Sequence, residues 1–438
     1  MPKAVGVSAR SLRMHASLYY GRAASFGRDV PHVTFLMSKP PIPLAPASVP
    51  LLVQKPSTSI QIGNPTNAIP DSVPPDTPTP SAIADNERYS RQILSPGIGT
   101  AGQQLLRSAH VAIIGVGATG AATASLLARA GVGTVTLIDR DFVEPSNLQR
   151  QVLFDEADAR DALPKAEAAR RKIALFNSAI TVHPHIADLV PANIHQLLAP
   201  AQLILDATDN FETRYLINDF CVQQSKPWIY AAAIGAYAAT MNILPRQAQL
   251  TTENGELTTS SPTACLSCIF PAPPSGPVET CDTAGILSTA VNLAASIQAT
   301  EALKLLTNQP HLMRRTLLSF DLWSNERSEI NATTPNPACT VCGQRIFSHL
   351  SGVGRPHITL CGRNSVQIHE HHRPVDFPAM RDRLLPHSDI HELRFNNLLL
   401  RFKRGPHTFT LFPDGRCLIQ GTTDITLARS LYARFIGS

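Results

Sequence analysis

Gly115-Val-Gly-Ala-Thr-Gly120 closes a β-branched run, Val111 to Val116, and Asp139-Arg-Asp-Phe-Val-Glu-Pro-Ser-Asn-Leu-Gln-Arg-Gln151 follows the next such run, Thr134 to Asp139. A glycine-rich turn between a strand and a helix sets backbone N–H groups and the helix N-terminus against phosphates. An acid about 20 residues further on reaches a ribose hydroxyl, and Asp139 stands there. Gly115, Gly117, Gly120 and Asp139, with Asp141 as the second acid of the row, are the candidate nucleotide-binding residues. The glycine turn says that a nucleotide binds, because many folds use it. The polar and cationic row behind it points to a nucleotide that reacts. Thr119 stands where the fingerprint leaves the residue free.

Outward from these stretches strands and helices alternate, the pattern of an α/β fold whose parallel sheet is covered on both faces. Ala118 to Ala130 reads as an Ala-rich helix, and Pro164 suits the first position of a helix to about Phe176. Thr181 to His185, Ala201 to Thr208 and Trp228 to Ala233 read as strands, with a helix from Thr213 to Gln224 between the last two. Ligands of such sheets gather at the carboxyl ends of the strands, where the glycine turn, Asp139 and Asp209 all fall. Glu87 to Leu94 precedes the sheet as a short polar helix. Beyond Gly235, Tyr237 to Leu244 and Thr316 to Leu322 are strand-like, and a long helix from about Ile286 to Leu306 carries an apolar stripe that suits the core or a dimer face. The expected architecture over 85–348 is a Rossmann-like, mostly parallel sheet with helices on both faces and an antiparallel extension. A small α+β appendix over 349–438 would hold strands near Leu398 to Phe402, Thr408 to Phe412 and Arg416 to Ile419 and a helix from about Asp424 to Phe435.

Residues 1–84 contain seven basic and three acidic residues, +4 of the chain's net +5. The basic excess therefore belongs to the leader and gives no reason to expect nucleic acid as a partner of the folded part. Prolines recur from Lys39 to Pro80 with little apolar periodicity, which predicts a disordered leader and linker over 1–84. The first 30 residues have the composition of an organelle transit peptide; a gene start placed too early, with translation beginning at Met37 or later, gives the same composition, and both readings stay open. Apolar runs such as Trp228 to Ala239 fall well short of the roughly 20 residues that span a bilayer, so no membrane segment is expected.

Arg88-Tyr-Ser-Arg-Gln92, the glycine turn, Ser146-Asn-Leu-Gln-Arg-Gln151, Pro164-Lys165 and Asp206-Ala-Thr-Asp-Asn210 together resemble the ThiF/MoeB/HesA family, the ubiquitin-activating-like adenylyltransferases of sulfur carrier proteins. The resemblance runs from about residue 86 to 345, with the motifs in the family's order. It implies adenylation by ATP of the C-terminal glycine of a ubiquitin-like sulfur carrier protein. By the resemblance Asp139 holds the ribose, Asn147 and Arg150 contact phosphate, Lys165 spans the phosphates, Asp209 holds magnesium, and Arg91 reaches across a homodimer into the neighbouring site. A cysteine desulfurase or another sulfur donor is the further partner implied. The residue types suit the reaction, since attack of a carboxylate on the α-phosphate builds negative charge that placed cations stabilise. Magnesium held by one carboxylate and the phosphates suits that ion. Plainer roles exist for each residue: Arg150 and Lys165 as solvated charges, Asp209 as a helix cap ahead of Thr213, Asn147 as a turn former.

Cys265-Leu-Ser-Cys268 and Cys339-Thr-Val-Cys342 each offer two thiolates on a tight turn, and four make a closed, structural zinc knuckle; the same double pair is found in many members of the family the chain resembles. Disulfides are the alternative, disfavoured by the lack of a secretory signal in a chain expected to be cytoplasmic. Cys281, ahead of the long helix, matches by the resemblance a cysteine of thiamin-type members that links covalently to the carrier; a buried unreactive thiol is the alternative. Cys221, Cys361 and Cys417 read as structural. Cys361-Gly-Arg-Asn-Ser365 resembles a sulfurtransferase loop but stands at the wrong end of too short a tail. Arg401, Lys403 and Arg404 read as a solvated strand face.

The leading function is adenylation of a thiamin-type sulfur carrier, supported by the setting of Cys281 and by the C-terminal extension. The molybdopterin-type carrier is the alternative. A nicotinamide-dependent oxidoreductase shares the fold but has no use for Arg150, Lys165 and Asp209 set around a triphosphate and magnesium. A non-catalytic adaptor would be expected to have lost one of these residues.

Overall fold

The computed structural model describes residues 84–246, 249–251, 257–259, 261–272, 281–352, 358–361, 365–368, 374–396 and 398–437, with backbone alone for 249–251, 257–259, 281–282 and 358–361. The disordered leader expected over 1–84 lies, but for Ala84, outside the described residues.

Strands β1 (His110–Ile114), β2 (Thr134–Ile138), β3 (Thr181–His185), β4 (Leu203–Asp206), β5 (Trp228–Ile234) and β6 (Tyr237–Ile243) come first; β7 (Gln249–Thr251) and β8 (Leu257–Thr259) pair with each other; β9 (Thr316–Asp321) and β10 (Glu326–Asn331) follow. The main sheet has the order β10-β9-β6-β5-β4-β1-β2-β3. From β3 to β5 neighbours run parallel, and β6, β9 and β10 extend the sheet antiparallel, as the sequence predicts. The central strand β1 is apolar on both faces because both are covered. Helices Ala118–Ala130, Lys165–Phe176 and Ser288–Leu306 pack on one face through Leu127, Ile173 and Ala302. Helix Phe211–Gln223 covers the other through Tyr215 and Phe220. The stripe on Ser288–Leu306 is thereby spent on the core, with Ala290, Ala294 and Gln298 all buried.

Local readings need correction at several points. The long helix starts at Ser288 rather than Ile286, because Ile286 bridges to Gly235 and Gly285 takes φ +70°. Pro164 is the residue before its helix, extended and bridged to Phe142, so its fixed φ serves a turn instead of a first helical position. The polar helix over 87–94 is two short ones, Asp85–Arg88 and Ser90–Ile93, and helix Gly99–Ser108 follows unannounced. Its glycines conceal it, and a Cβ on Gly102 would lie close against Thr307 Cγ2, at 3.3 Å.

The C-terminal segment forms a second, wholly antiparallel sheet of β11 (Ile358–Cys361), β12 (Ser365–Ile368), β13 (Ile390–Phe395), β14 (Leu400–Arg404), β15 (His407–Leu411) and β16 (Cys417–Gln420), in the order β11-β12-β16-β15-β14-β13. Helices Phe377–Leu384 and Ile425–Phe435 pack on it around stacked Phe402 and Phe409. Half of these strands escape sequence reading; in β13 the period is broken by a bulge between His391 and Arg394. Among the described residues no helix is long and apolar enough to cross a membrane.

Candidate active site

The glycine turn links β1 to helix Ala118–Ala130, and its geometry explains the spacing. Gly115 has φ +84°, and a Cβ there would meet the Ala207 carbonyl oxygen at 2.7 Å. At Gly120 a Cβ would stand 1.8 Å from the Gly115 oxygen, whereas at Gly117 the nearest atom is Gln151 Nε2 at 3.9 Å. The first and third glycines therefore permit close packing, and the second leaves its side open for a ligand's approach. Gly120→Ala is expected to cost about 3 kcal/mol or more through overpacking, read as a fall in thermal midpoint or loss of folded protein; a variant melting with the parent would show that the turn relaxes freely.

Asp139 joins this turn to the loop after β2. One carboxylate oxygen accepts from the Val116 N–H at 2.6 Å, the other from the Asp141 N–H at 2.7 Å. Burial raises its pKa, against which the nearby Lys165 cation acts. Lys165 pairs with Asp141 Oδ2 at 3.0 Å, its side chain 4% exposed. That burial disposes of Lys165 as a solvated surface charge. Its backbone N–H donates to the Asp141 carbonyl at 2.9 Å, beside the Phe142–Pro164 bridge. Farther along the loop Asn147 is fully buried and does form a turn, accepting the Glu144 N–H at 3.1 Å in a capping box around Pro145–Asn147. Arg150, half-buried, donates to the Ser146 carbonyl at 2.8 Å.

Asp209 follows β4 and is exposed, without hydrogen bond or ion pair among the described residues. It is not the helix cap: Asn210 takes that place, accepting from the Thr213 N–H at 2.9 Å. Arg91 is likewise exposed and unpaired among the described residues, on a segment its neighbours anchor. Arg88 donates to the Phe176 carbonyl at 2.5 Å, buried Tyr89 accepts from Asn177 at 2.9 Å, and Gln92 donates to the Ala130 carbonyl at 2.7 Å. Cys281 opens a separate four-residue helix, Cys281–Ala284, ahead of the long helix rather than at its N-terminus, and its side chain is outside the described residues.

Four buried polar residues escape sequence reading. Asp206 and Arg214 form an ion pair at 3.2 Å under the Asp209 loop, and burial raises the Asp206 pKa against the pull of Arg214. Gln298, from the long helix, donates to the carbonyls of Asp206 and Ile229 at 2.7 and 2.9 Å and accepts from Thr123 at 2.9 Å. Gln151 beside Gly117 is 3% exposed with its Oε1 unpartnered. Asp206 and Gln151 stand inside the quoted motifs; Gln298 gives no local signal.

The four predicted cysteines converge, their Sγ atoms all within 4.8 Å of one another. Cys265 lies 3.8 Å from Cys268 and 3.6 Å from Cys339, and Cys268 lies 3.3 Å from Cys342. A disulfide needs about 2.05 Å, whereas tetrahedral thiolates around zinc at about 2.3 Å stand roughly 3.8 Å apart. All four are free thiols, so the cluster fits a metal and not a pair of disulfides. Contacts with Cys265 pull the Cys268 and Cys339 thiols below the ordinary cysteine range, and the same contacts push Cys265 up. Cys221 and Cys417 are buried, their thiols pushed up by burial, and Cys361 lies in β11 with its side chain outside the described residues.

The model of the ThiF family matches residues 89–341, more than half of the chain. The chain belongs to the ThiF family. This ThiF-family chain is an adenylyltransferase, which implies ATP. It is 42% identical to the sulfur carrier protein ThiS adenylyltransferase of Bacillus subtilis, over 80% of its own length and 99% of that protein's. It is 37% identical to the SAMP-activating enzyme E1 of Haloferax volcanii, over 59% and 89% of the two chains. The crystal structure of E. coli MccB shares the fold, at 24% identity and a TM-score of 0.50 over 60% of this chain and 74% of that one.

Proposed function

We propose that this ThiF-family chain uses ATP to adenylate the C-terminal glycine of a ubiquitin-like sulfur carrier protein of the thiamin type. The observation that carries the reading is Lys165, buried and ion-paired to Asp141 beside the glycine turn, in a chain that spans nearly the whole of a ThiS adenylyltransferase. A carboxylate oxygen of the carrier attacks the α-phosphorus, the bond to pyrophosphate breaks, and an acyl-adenylate is left for a sulfur donor such as a cysteine desulfurase. On this reading the turn amides and Asn147 Nδ2 hold phosphate, Asp139 and Asp141 face the ribose side, and Arg150 and Lys165 stabilise the charge that builds on the phosphates. Exposed Asp209 would hold magnesium, which lends further positive charge when bound. Arg91 would complete the neighbouring site of a homodimer, and the four cysteines would bind zinc. Residues 85–348 would be the catalytic unit and 349–438 an appended one.

Carrier-dependent ATP–pyrophosphate exchange tests this reading. Exchange is expected with a thiamin-type carrier and not with a molybdopterin-type one; the reverse would move the chain to the other pathway, and exchange with neither would end the proposal. Cys281→Ala is expected to keep exchange while losing at least about 10-fold in carrier thiocarboxylation, if its thiolate makes the covalent link. Full retention of both activities would remove Cys281 from the mechanism.

A further inference from the structure

The loop that carries Asp141 and Asn147 is touched from outside by the C-terminal sheet. Arg401 of β14 lays its guanidinium over the ring of buried Phe142, 5.0 Å from the centroid. Gln420, the last residue of β16, donates to Glu144 Oε1 at 3.3 Å. Beside them Gln367 donates to Asp188 at 3.3 Å and Arg416 to the Ile186 carbonyl at 3.2 Å. Asp188 also pairs at 3.2 Å with Arg140, which stands between Asp139 and Asp141.

Both residues that the sheet touches in the loop act on the site. Phe142 forms the bridge to Pro164 that sets Asp141 against Lys165. Glu144 caps the turn that buries Asn147. Arg401 is therefore no solvated strand residue: burial lowers its pKa, and Glu144 acts the other way. Of its neighbours on the strand, Lys403 does stay exposed, paired with Glu392, whereas Arg404 is half-buried, paired with Asp389 and laid over the Phe435 ring.

We propose that the C-terminal sheet holds the loop Asp139 to Gln151 in the shape that binds the nucleotide, with Arg401 and Gln420 as positioning residues. This rests on the reading of the site given above. A sheet that merely stabilised the fold would change the melting temperature when the contact is cut; a positioning contact changes ATP affinity at constant melting temperature.

The test measures ATP binding to the full chain without any carrier, so that it stands apart from exchange. Arg401→Ala is expected to weaken ATP binding by about 10-fold, the order of a desolvated cation–π contact, with the thermal midpoint near the parent's. Arg401→Lys, which keeps a cation over the ring, is expected to recover most of that loss, and Gln420→Ala to weaken binding by about 3-fold. Lys403→Ala, on the same strand face but away from the loop, should leave affinity unchanged. Should Arg401→Ala fail to fold, Gln420→Ala and Arg401→Lys carry the comparison. ATP affinity within 2-fold of the parent in the folded variants, or a loss that tracks melting temperature alone, overturns the inference. A parent that binds ATP yet shows no exchange with any carrier would refute the proposed activity and leave this test intact.

Discussion

Lys165→Ala is expected to lower carrier-dependent exchange by at least about 100-fold, the scale of removing a principal charge stabiliser, with Asp209→Ala close behind. The two residues contribute differently. Lys165 is buried, so its charge acts where water screens it little. Asp209 is exposed and unpaired among the described residues, so its loss should spare stability and raise the magnesium needed for half-maximal rate. The alanine at 165 has a second effect. Asp139 is already raised by burial, and Lys165 opposes that rise; without the cation, the Asp139 pKa climbs further. Its ionised form is then lost at higher pH as the solution is acidified, so the acid limb of the residual activity should move to higher pH. Turnover within 5-fold of the parent, or an unmoved acid limb, would place Lys165 outside the phosphate site.

On the proposed reading of the cysteine cluster as a zinc site, removal of the metal is expected to be the largest stability effect in the molecule. One zinc per chain should be found by elemental analysis. Because binding energy at a structural zinc site is folding energy, chelation or Cys339→Ser should lower the thermal midpoint by roughly 10 °C or more. The cluster also touches the site's scaffold. Asn218, on helix Phe211–Gln223, accepts from the Leu266 N–H at 3.0 Å and donates to Ser267 at 3.2 Å, and Asp219 accepts from the His349 N–H at 2.9 Å. That helix begins just after Asp209, so exchange should fall with the metal. As thiolates must be deprotonated to bind, zinc should be released as pH falls. A metal-free protein that melts with the parent would show that the four thiols pack without an ion.

The parallel half of the main sheet was legible because β1, β2, β4 and β5 are short apolar runs followed by a turn residue, and β1 to β5 lie close to where the pattern puts them. The C-terminal sheet was half legible. Strand β14 buries alternate residues, Leu400 and Phe402, and reads clearly; β13 carries a bulge and does not. Site residues followed the same division. Gly115 and Gly120 are dictated by contacts with backbone a few residues away or directly across the sheet. Lys165 showed its type but not its burial, and Arg401 was misread, since a strand's outer face is solvated until something covers it.

Backbone demands and ligand chemistry are written locally, and these the sequence determined by itself: a turn that admits only glycine, two pairs of cysteines spaced for one ion, acids at the carboxyl ends of parallel strands. The tertiary structure decided which polar groups are buried and what they are tied to. Gln298 meets the Asp206 carbonyl across 92 residues of chain and Gln420 meets Glu144 across 276. A side chain's solvation is set by the element that packs over it, and that element is named nowhere near the residue in the sequence.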